Sequence, residues 1–429
     1  MPNWLAPVVA TVVAGSVAGE ALAQSDPFAW AASERPMMVG FPPSADSQVT
    51  TANFRDPATI KWLQLNTRNI GFTRQITRSG GAPSPLPRGR QENLEALRFE
   101  VKGQGVTDVA AWMNATRGDA LLVLRDGKIV YERYRPGLTA DDPHAAWSIT
   151  KSFVGTIAAM LVAEGALDTA KKVRDYVPEL AGSGFGDATV QQLLDMTAGD
   201  AFDENTGKNS ADVLNMVRSF MPRYAPPDDR APKSMYEVLT RIGKARPHGE
   251  TFLYNSADME AVGWVIQRVA GKDLATLISE RLWQPLGAAH DAGILIDGLG
   301  MPSASAGMSA TLPDLARFGQ MMSNGGRFNG RRIVPAAVIA ELHRGGDRAA
   351  FVKGGADKAR PGYSYHDGWW VNHAAGSIEA KGGSGQHIYI NPASRTVIVK
   401  FSSAVEPATS YTATEDSAAF AAIAAAGRR

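Results

Sequence analysis

Apolar and polar positions along this chain follow two rhythms. Over 120–134, "ALLVLRDGKIVYERY", two β-rich runs flank Asp126-Gly127, a pair that suits a two-residue hairpin turn. Strand-like patterns return only after about residue 365, in "DGWWVNH" (367–373), "GQHIYINP" (385–392) and "RTVIVKFSS" (395–403), with Asn391-Pro392 marking a turn. Between them the period is helical. One helix begins near Ser148 and ends at Glu164. Others are predicted in "ATVQQLLDMTAG" (188–199), "SADVLNMVRSF" (210–220), "SADMEAVGWVIQRVAG" (256–271, closed by Gly271) and "LPDLARFGQMMSNGG" (312–326). An Ala-rich helix is predicted over 415–426. Strands open and close the patterned region and helices fill its middle. That order predicts an α+β sandwich: an antiparallel sheet built from both ends of the chain, flanked by helices, with an all-helical subdomain over roughly 167–330.

The remainder is less regular. Residues 24–105 are rich in Pro, Gly, Ser and Arg with weak periodicity, and "SGGAPSPLPRGRQ" (79–91) reads as an exposed loop. We read 24–105 as an N-terminal extension wrapped over a main domain spanning 106–429. Leu5–Ala18 is an apolar run of signal-peptide length, followed by Ala21-Leu22-Ala23, an A-x-A cleavage pattern. Residues 1–23 therefore read as a secretory signal, and the mature protein as periplasmic or secreted, although no Lys or Arg precedes Arg35. The run is short for a membrane span and contains Pro7, so no stable membrane insertion is expected once the signal is removed.

Composition narrows the chemistry by exclusion. Lys plus Arg number 44 and Asp plus Glu 43, a net charge of +1, which argues against a nucleic-acid partner. With no Cys, disulfides, thiol catalysis and Cys-ligated zinc are ruled out. The seven His form no H-E-x-x-H motif, and no G-x-S-x-G elbow occurs, so neither a helix-borne metal nor the Ser-His-Asp route of that elbow is expected. We expect no metal and no cofactor. Oligomeric state is not legible.

What remains is one lysine in an apolar helix. In "HAAWSITKSFVGTIAAMLVAEGAL" (144–167), Lys151 is followed by no charge until Glu164, and Ser148 lies one helical turn before it. A buried amine favours its neutral form and can act as a base. A serine at a helix start has free backbone N–H groups at hand to stabilise an oxyanion. The plainer alternative makes Ser148 a helix cap and Lys151 a side chain reaching for solvent. Tyr254, just before the helix at 256, could relay protons beside a cationic lysine, or could simply pack; Asn255 or Ser256 could cap that helix. The glycines of "AKGGSGQHIYINP" (380–392) could let strand backbone approach a ligand, or could make a turn.

Taken in order, Ser148-Ile-Thr-Lys151, Tyr254-Asn255-Ser256 and Lys381-Gly-Gly-Ser384 resemble the three motifs of the serine β-lactamase and penicillin-binding-protein superfamily. The closest resemblance is to the class C-like branch, with its family VIII-type esterases and 6-aminohexanoate-oligomer hydrolases, and it covers roughly 119–405. It implies a β-lactamase/transpeptidase-like fold and a serine hydrolase acting on a small-molecule ester or amide. Ser148 would form the acyl-enzyme, Lys151 and Tyr254 would move protons, and the N–H groups of Ser148 and Gly383 would form the oxyanion hole. If the lysines are matched instead, Ser384 replaces Gly383 as the donor. Substrate contacts are expected from Ser256, Asn255, Phe202 and Lys381, with Phe202 standing where the oligomer-hydrolase branch has a tyrosine. Ser256 in place of the Asn of class C enzymes, and no clean Lys-Thr-Gly, favour an esterase or amidase. The alternatives are a β-lactamase or D-Ala-D-Ala peptidase, a 6-aminohexanoate-oligomer hydrolase, and a penicillin-binding sensor without turnover.

Overall fold

Asp126 and Gly127 both adopt positive φ, 50° and 74°, the turn that pairs strands Gly118–Arg125 and Lys128–Tyr134. The computed structural model describes residues 26–32, 34–50, 52–54, 56–204, 211–222, 232–405 and 414–427; the expected signal sequence lies outside them. The hairpin forms one end of a seven-stranded antiparallel sheet. From the other end the order is Tyr363–His366, Trp369–Asn372, Ser377–Gly382, Gln386–Asn391, Thr396–Ser402, Gly118–Arg125 and Lys128–Tyr134. The sheet is thus assembled from both ends of the chain, as the pattern predicted. The central strands read as unbroken apolar runs because both faces are covered. Leu122 and Leu124 enter one core with Phe153 and Phe318, whereas Leu121 and Val123 enter another with Trp112 and Phe420 of the flanking helices Val109–Ala115 and Thr414–Ala426.

The middle of the chain departs from the all-helical expectation. Strands Ala292–Leu295 and Met308–Ala310 lie within it and join a second, four-stranded sheet whose outer members are Thr73–Ile76 and His144–Trp147. Helix Leu312–Ser323 packs its Gly319 against Val397 and Ile388 of the large sheet, so it belongs to the sandwich.

The N-terminal segment is built in more deeply than a wrapping extension. Thr73–Ile76 pairs residue for residue with Ala292–Leu295. Ile60, Leu63, Ile70 and Ile76 are buried in the main core. Among the described residues no helix is long and apolar enough to cross a membrane.

Candidate active site

The helix carrying the Ser-x-x-Lys pair runs Ile149–Ala163, with Ser148 at its N-cap position. Residues 149–161 are all buried, so this part of the helix is enclosed on every side and Lys151, 1% exposed, is shut off from bulk water. Its Nζ instead donates to Ser148 Oγ (3.0 Å), Ser256 Oγ (3.0 Å) and the Ser305 carbonyl (2.8 Å). These match the three N–H groups of an ammonium. When the amine is neutral its lone pair must face a hydroxyl, because the carbonyl can only accept. The arrangement thus aims the base at Ser148 or Ser256. Desolvation lowers the Lys151 pKa to about 8, with Glu204 and Glu260 opposing the shift.

Tyr254 reaches the same place from just before a second helix, Ser256–Ala270. Its ring centroid lies 5.0 Å from Lys151 Nζ, and the ring stacks on Trp370 at 5.6 Å. Asn255 is the cap of that helix: its Oδ1 accepts from the N–H groups of Ala257 (2.8 Å) and Asp258 (3.3 Å), and its Nδ2 donates to both oxygens of Asp200. Fully buried in these bonds, Asn255 is held away from any substrate, whereas Ser256 turns to Lys151. The Ser256 N–H donates to Glu204 Oε2 (3.0 Å), and burial raises the pKa of that carboxylate while Lys151 opposes.

The third motif arrives on strand Ser377–Gly382. A Cβ on Gly382 would stand 2.3 Å from the Ala146 carbonyl, so only glycine lets this strand close on the segment leading to Ser148. Gly383 follows beside the Trp147 ring, and Ser384 turns the chain at φ 59°. Gln386 Nε2 donates to the carbonyls of Gly383 (3.1 Å) and Ser402 (2.6 Å), tying the turn to the next strand.

Besides Asn255, two more of the expected substrate contacts lie elsewhere. Lys381 alternates to the face opposite Ala380 and Gly382, where its Nζ pairs with Glu379 Oε2 at 2.6 Å and stands over the Tyr363 ring. Phe202 is 1% exposed within the main core, because the loop turns it inward where Asp200 accepts from its N–H. Of the adjacent tryptophans, Trp369 is core and Trp370 backs Tyr254.

Several supporting residues carried no sequence signal. Glu260, buried and with its pKa raised by desolvation, accepts from Ser303 Oγ, Ser305 Oγ and the N–H groups of Ala304 and Ser305. It thereby fixes the carbonyl that receives Lys151. Trp147 occupies the left-handed region at φ 46° immediately before Ser148. From behind, Ser152 Oγ donates to the Gly368 carbonyl at 2.7 Å, locking a hairpin turn of the large sheet against the serine helix.

The family model described as beta-lactamase matches residues 106–423. A 6-aminohexanoate-dimer hydrolase from Paenarthrobacter ureafaciens is 32% identical over 372 residues, covering 86% of this chain and 92% of the relative. A solved structure from Bacillus anthracis, provisionally assigned as a 6-aminohexanoate-dimer hydrolase, superposes with a TM-score of 0.80 at 28% identity, over 89% of this chain and 97% of the other. A D-stereospecific amidohydrolase from Streptomyces sp. shares the fold at a TM-score of 0.54 and 19% identity, over 73% of this chain and 98% of its own.

Proposed function

This chain belongs to the beta-lactamase family, and from that premise we propose that it is a serine hydrolase cleaving a small ester or amide through an acyl-enzyme on Ser148. The observation that carries the reading is Lys151 Nζ at 3.0 Å from Ser148 Oγ, with a pKa lowered to about 8 by burial. Ser148 Oγ attacks the carbonyl carbon as its proton passes to Lys151. The oxyanion is received by the N–H groups of Ser148 and Gly383. Collapse breaks the bond to the leaving group, which takes a proton from the Tyr254 hydroxyl, and Lys151 restores that proton. Water then attacks the acyl carbonyl, the same groups carry its proton, and Ser148 departs.

The charges around the site favour some substrates over others. A β-lactam or a D-Ala-D-Ala peptide carries a carboxylate that needs a cation, and the candidate cation, Lys381, is paired with Glu379 on the far face of its strand. Beside Lys151 stands an acid, Glu204. This supports neutral esters and amides, and amides ending in an amine, over substrates whose carboxylate sits on the carbon next to the scissile bond. A 6-aminohexanoate dimer, the substrate named for the relatives, is the first amide to try. The N-terminal apolar run supports a periplasmic or secreted location.

A penicillin-binding sensor without turnover is the second reading. Lys151 and Tyr254 lying together favour turnover. A serine-reactive phosphonate is expected to add once, on Ser148, by intact mass and peptide mapping; an unmodified Ser148 overturns the proposal. A short-chain nitrophenyl ester, a 6-aminohexanoate dimer and a chromogenic cephalosporin are then compared. Turnover of the first or second over the third is expected, and an acyl adduct that persists for hours supports the sensor.

A further inference from the structure

Trp147 precedes the nucleophile in an unfavourable backbone conformation, φ 46°, that a bulky residue holds only when its surroundings fix it. Two contacts do so. Its carbonyl accepts from Thr150 Oγ1 (2.6 Å), which in turn accepts from the Met308 N–H (3.1 Å). Its indole Nε1 donates to Gln64 Oε1 at 2.7 Å. Gln64 is on helix Pro57–Leu65, in the N-terminal segment that precedes the residues matched to the family model. An indole N–H can only donate, so it is the amide oxygen of Gln64 that faces it.

The other half of that amide is idle. Gln64 is fully buried, and its Nε2 has no hydrogen-bond partner among the described residues. An orphaned donor in a core is costly, and an apolar side chain would fill the space without that cost. Among the described residues the indole is therefore the one hydrogen-bond partner that accounts for an amide at this position. The same side chain touches the third motif: a Cβ on Gly383 would sit 3.9 Å from Trp147 Cγ, and Gly382 abuts the Ala146 carbonyl. The Trp147 side chain thus touches both the N-terminal helix and the backbone proposed to supply the second oxyanion donor.

We infer that Gln64 is a positioning residue: by holding the Trp147 indole it sets the backbone of Ser148 and its spacing from Gly383. The inference rests on the acyl-enzyme reading of Ser148, and the test separates the two. Turnover of a nitrophenyl ester, the second-order rate of phosphonate labelling of Ser148 and the thermal midpoint are measured on the full chain. Gln64→Leu is expected to lower kcat and the labelling rate together by roughly tenfold to a hundredfold, the scale of a small misplacement of reacting groups, with KM little changed. The thermal midpoint should stay close to that of the unaltered protein, because the orphaned donor leaves with the bond. Trp147→Phe, which lacks the indole N–H, should lose as much, and Gln64→Leu should add nothing in that background. Gln64→Glu keeps an acceptor and should retain more of the rate than Gln64→Leu. If Gln64→Leu does not fold, Gln64→Met, closest in volume, carries the same comparison. Labelling of Gln64→Leu within about twofold of the unaltered chain, or additive losses in the double variant, overturns the inference while leaving the acyl-enzyme reading intact. No labelling of the unaltered chain overturns that reading instead.

Discussion

Burial lowers the Lys151 pKa to about 8 from 10.5, and Glu204 and Glu260 pull the other way. If the neutral amine takes the Ser148 proton, kcat/KM for an ester should rise with pH along an acidic limb centred near 8 and then level off. Glu260→Gln removes a negative charge that favours the ammonium, so its limb should move to lower pH; a limb fixed in place would count against Lys151 as the titrating group. Stability follows with a definite sign. The folded pKa is below the unfolded one, so between about pH 8 and 10.5 the unfolded chain binds more protons and the contribution of Lys151 to stability rises with pH. Lys151→Met should accordingly lose turnover by roughly a thousandfold or more, yet melt no lower at pH 7, since an apolar chain replaces a buried amine. Ser148 and Lys151 were legible because one helical turn of spacing brings them together wherever the helix lies. Asn255 and Ser256 were not separable by sequence: both types cap helices, and only the direction of each side chain assigns the cap to Asn255. Lys381 was misread because strand alternation gives the spacing of faces and not which face meets the serine.

At the scale of elements, glycine marks where backbone must touch backbone. Gly155 lies inside the serine helix, where glycine normally costs about 1 kcal/mol against alanine. Here a Cβ would stand 1.7 Å from the Asp367 carbonyl. Gly155→Ala should therefore reverse the usual sign and destabilise by at least about 2 kcal/mol, seen as a lowered denaturant midpoint. It should also weaken catalysis, because the turn that it displaces presses on the first turn of the serine helix. Gly271, the left-handed cap at φ 63° with open space where a Cβ would stand, is the control; alanine there should cost about 1 kcal/mol from backbone strain and leave kcat alone. Equal losses at the two sites would refute the packing argument. The hairpin at Asp126-Gly127 and the helices after Ser148 and Asn255 could be read locally, since their turn, caps and apolar stripes are short-range. Strands Tyr363–His366 and Ser377–Gly382 could not, because they alternate over only 4 and 6 residues, too short a run to stand out from loop sequence. Thr73–Ile76 is a strand chiefly through its pairing with Ala292–Leu295, a contact that no local window contains.

Across the whole molecule, that distant pairing decides where the folding unit begins. The chain pattern suggested a main domain from residue 106, and the family model begins there too. The core does not. Ile60, Leu63, Ile70 and Ile76 are between 0% and 7% exposed and lie in the same core as the serine helix. At the low end of about 1.5 kcal/mol for each buried aliphatic side chain, the four together contribute roughly 6 kcal/mol. That equals or exceeds the whole net stability of a marginal protein, about 5 kcal/mol. A chain beginning at Val106 would also expose the free edge of Ala292–Leu295 and leave the Trp147 indole N–H without Gln64. It should therefore aggregate or melt without a cooperative transition, and Ser148 should not be labelled by the phosphonate. A cooperative, labelled protein from that start point would show instead that the N-terminal helix and strand are attachments to a self-sufficient sandwich. The Gln64–Trp147 bond would then lose its claim to be part of the catalytic unit.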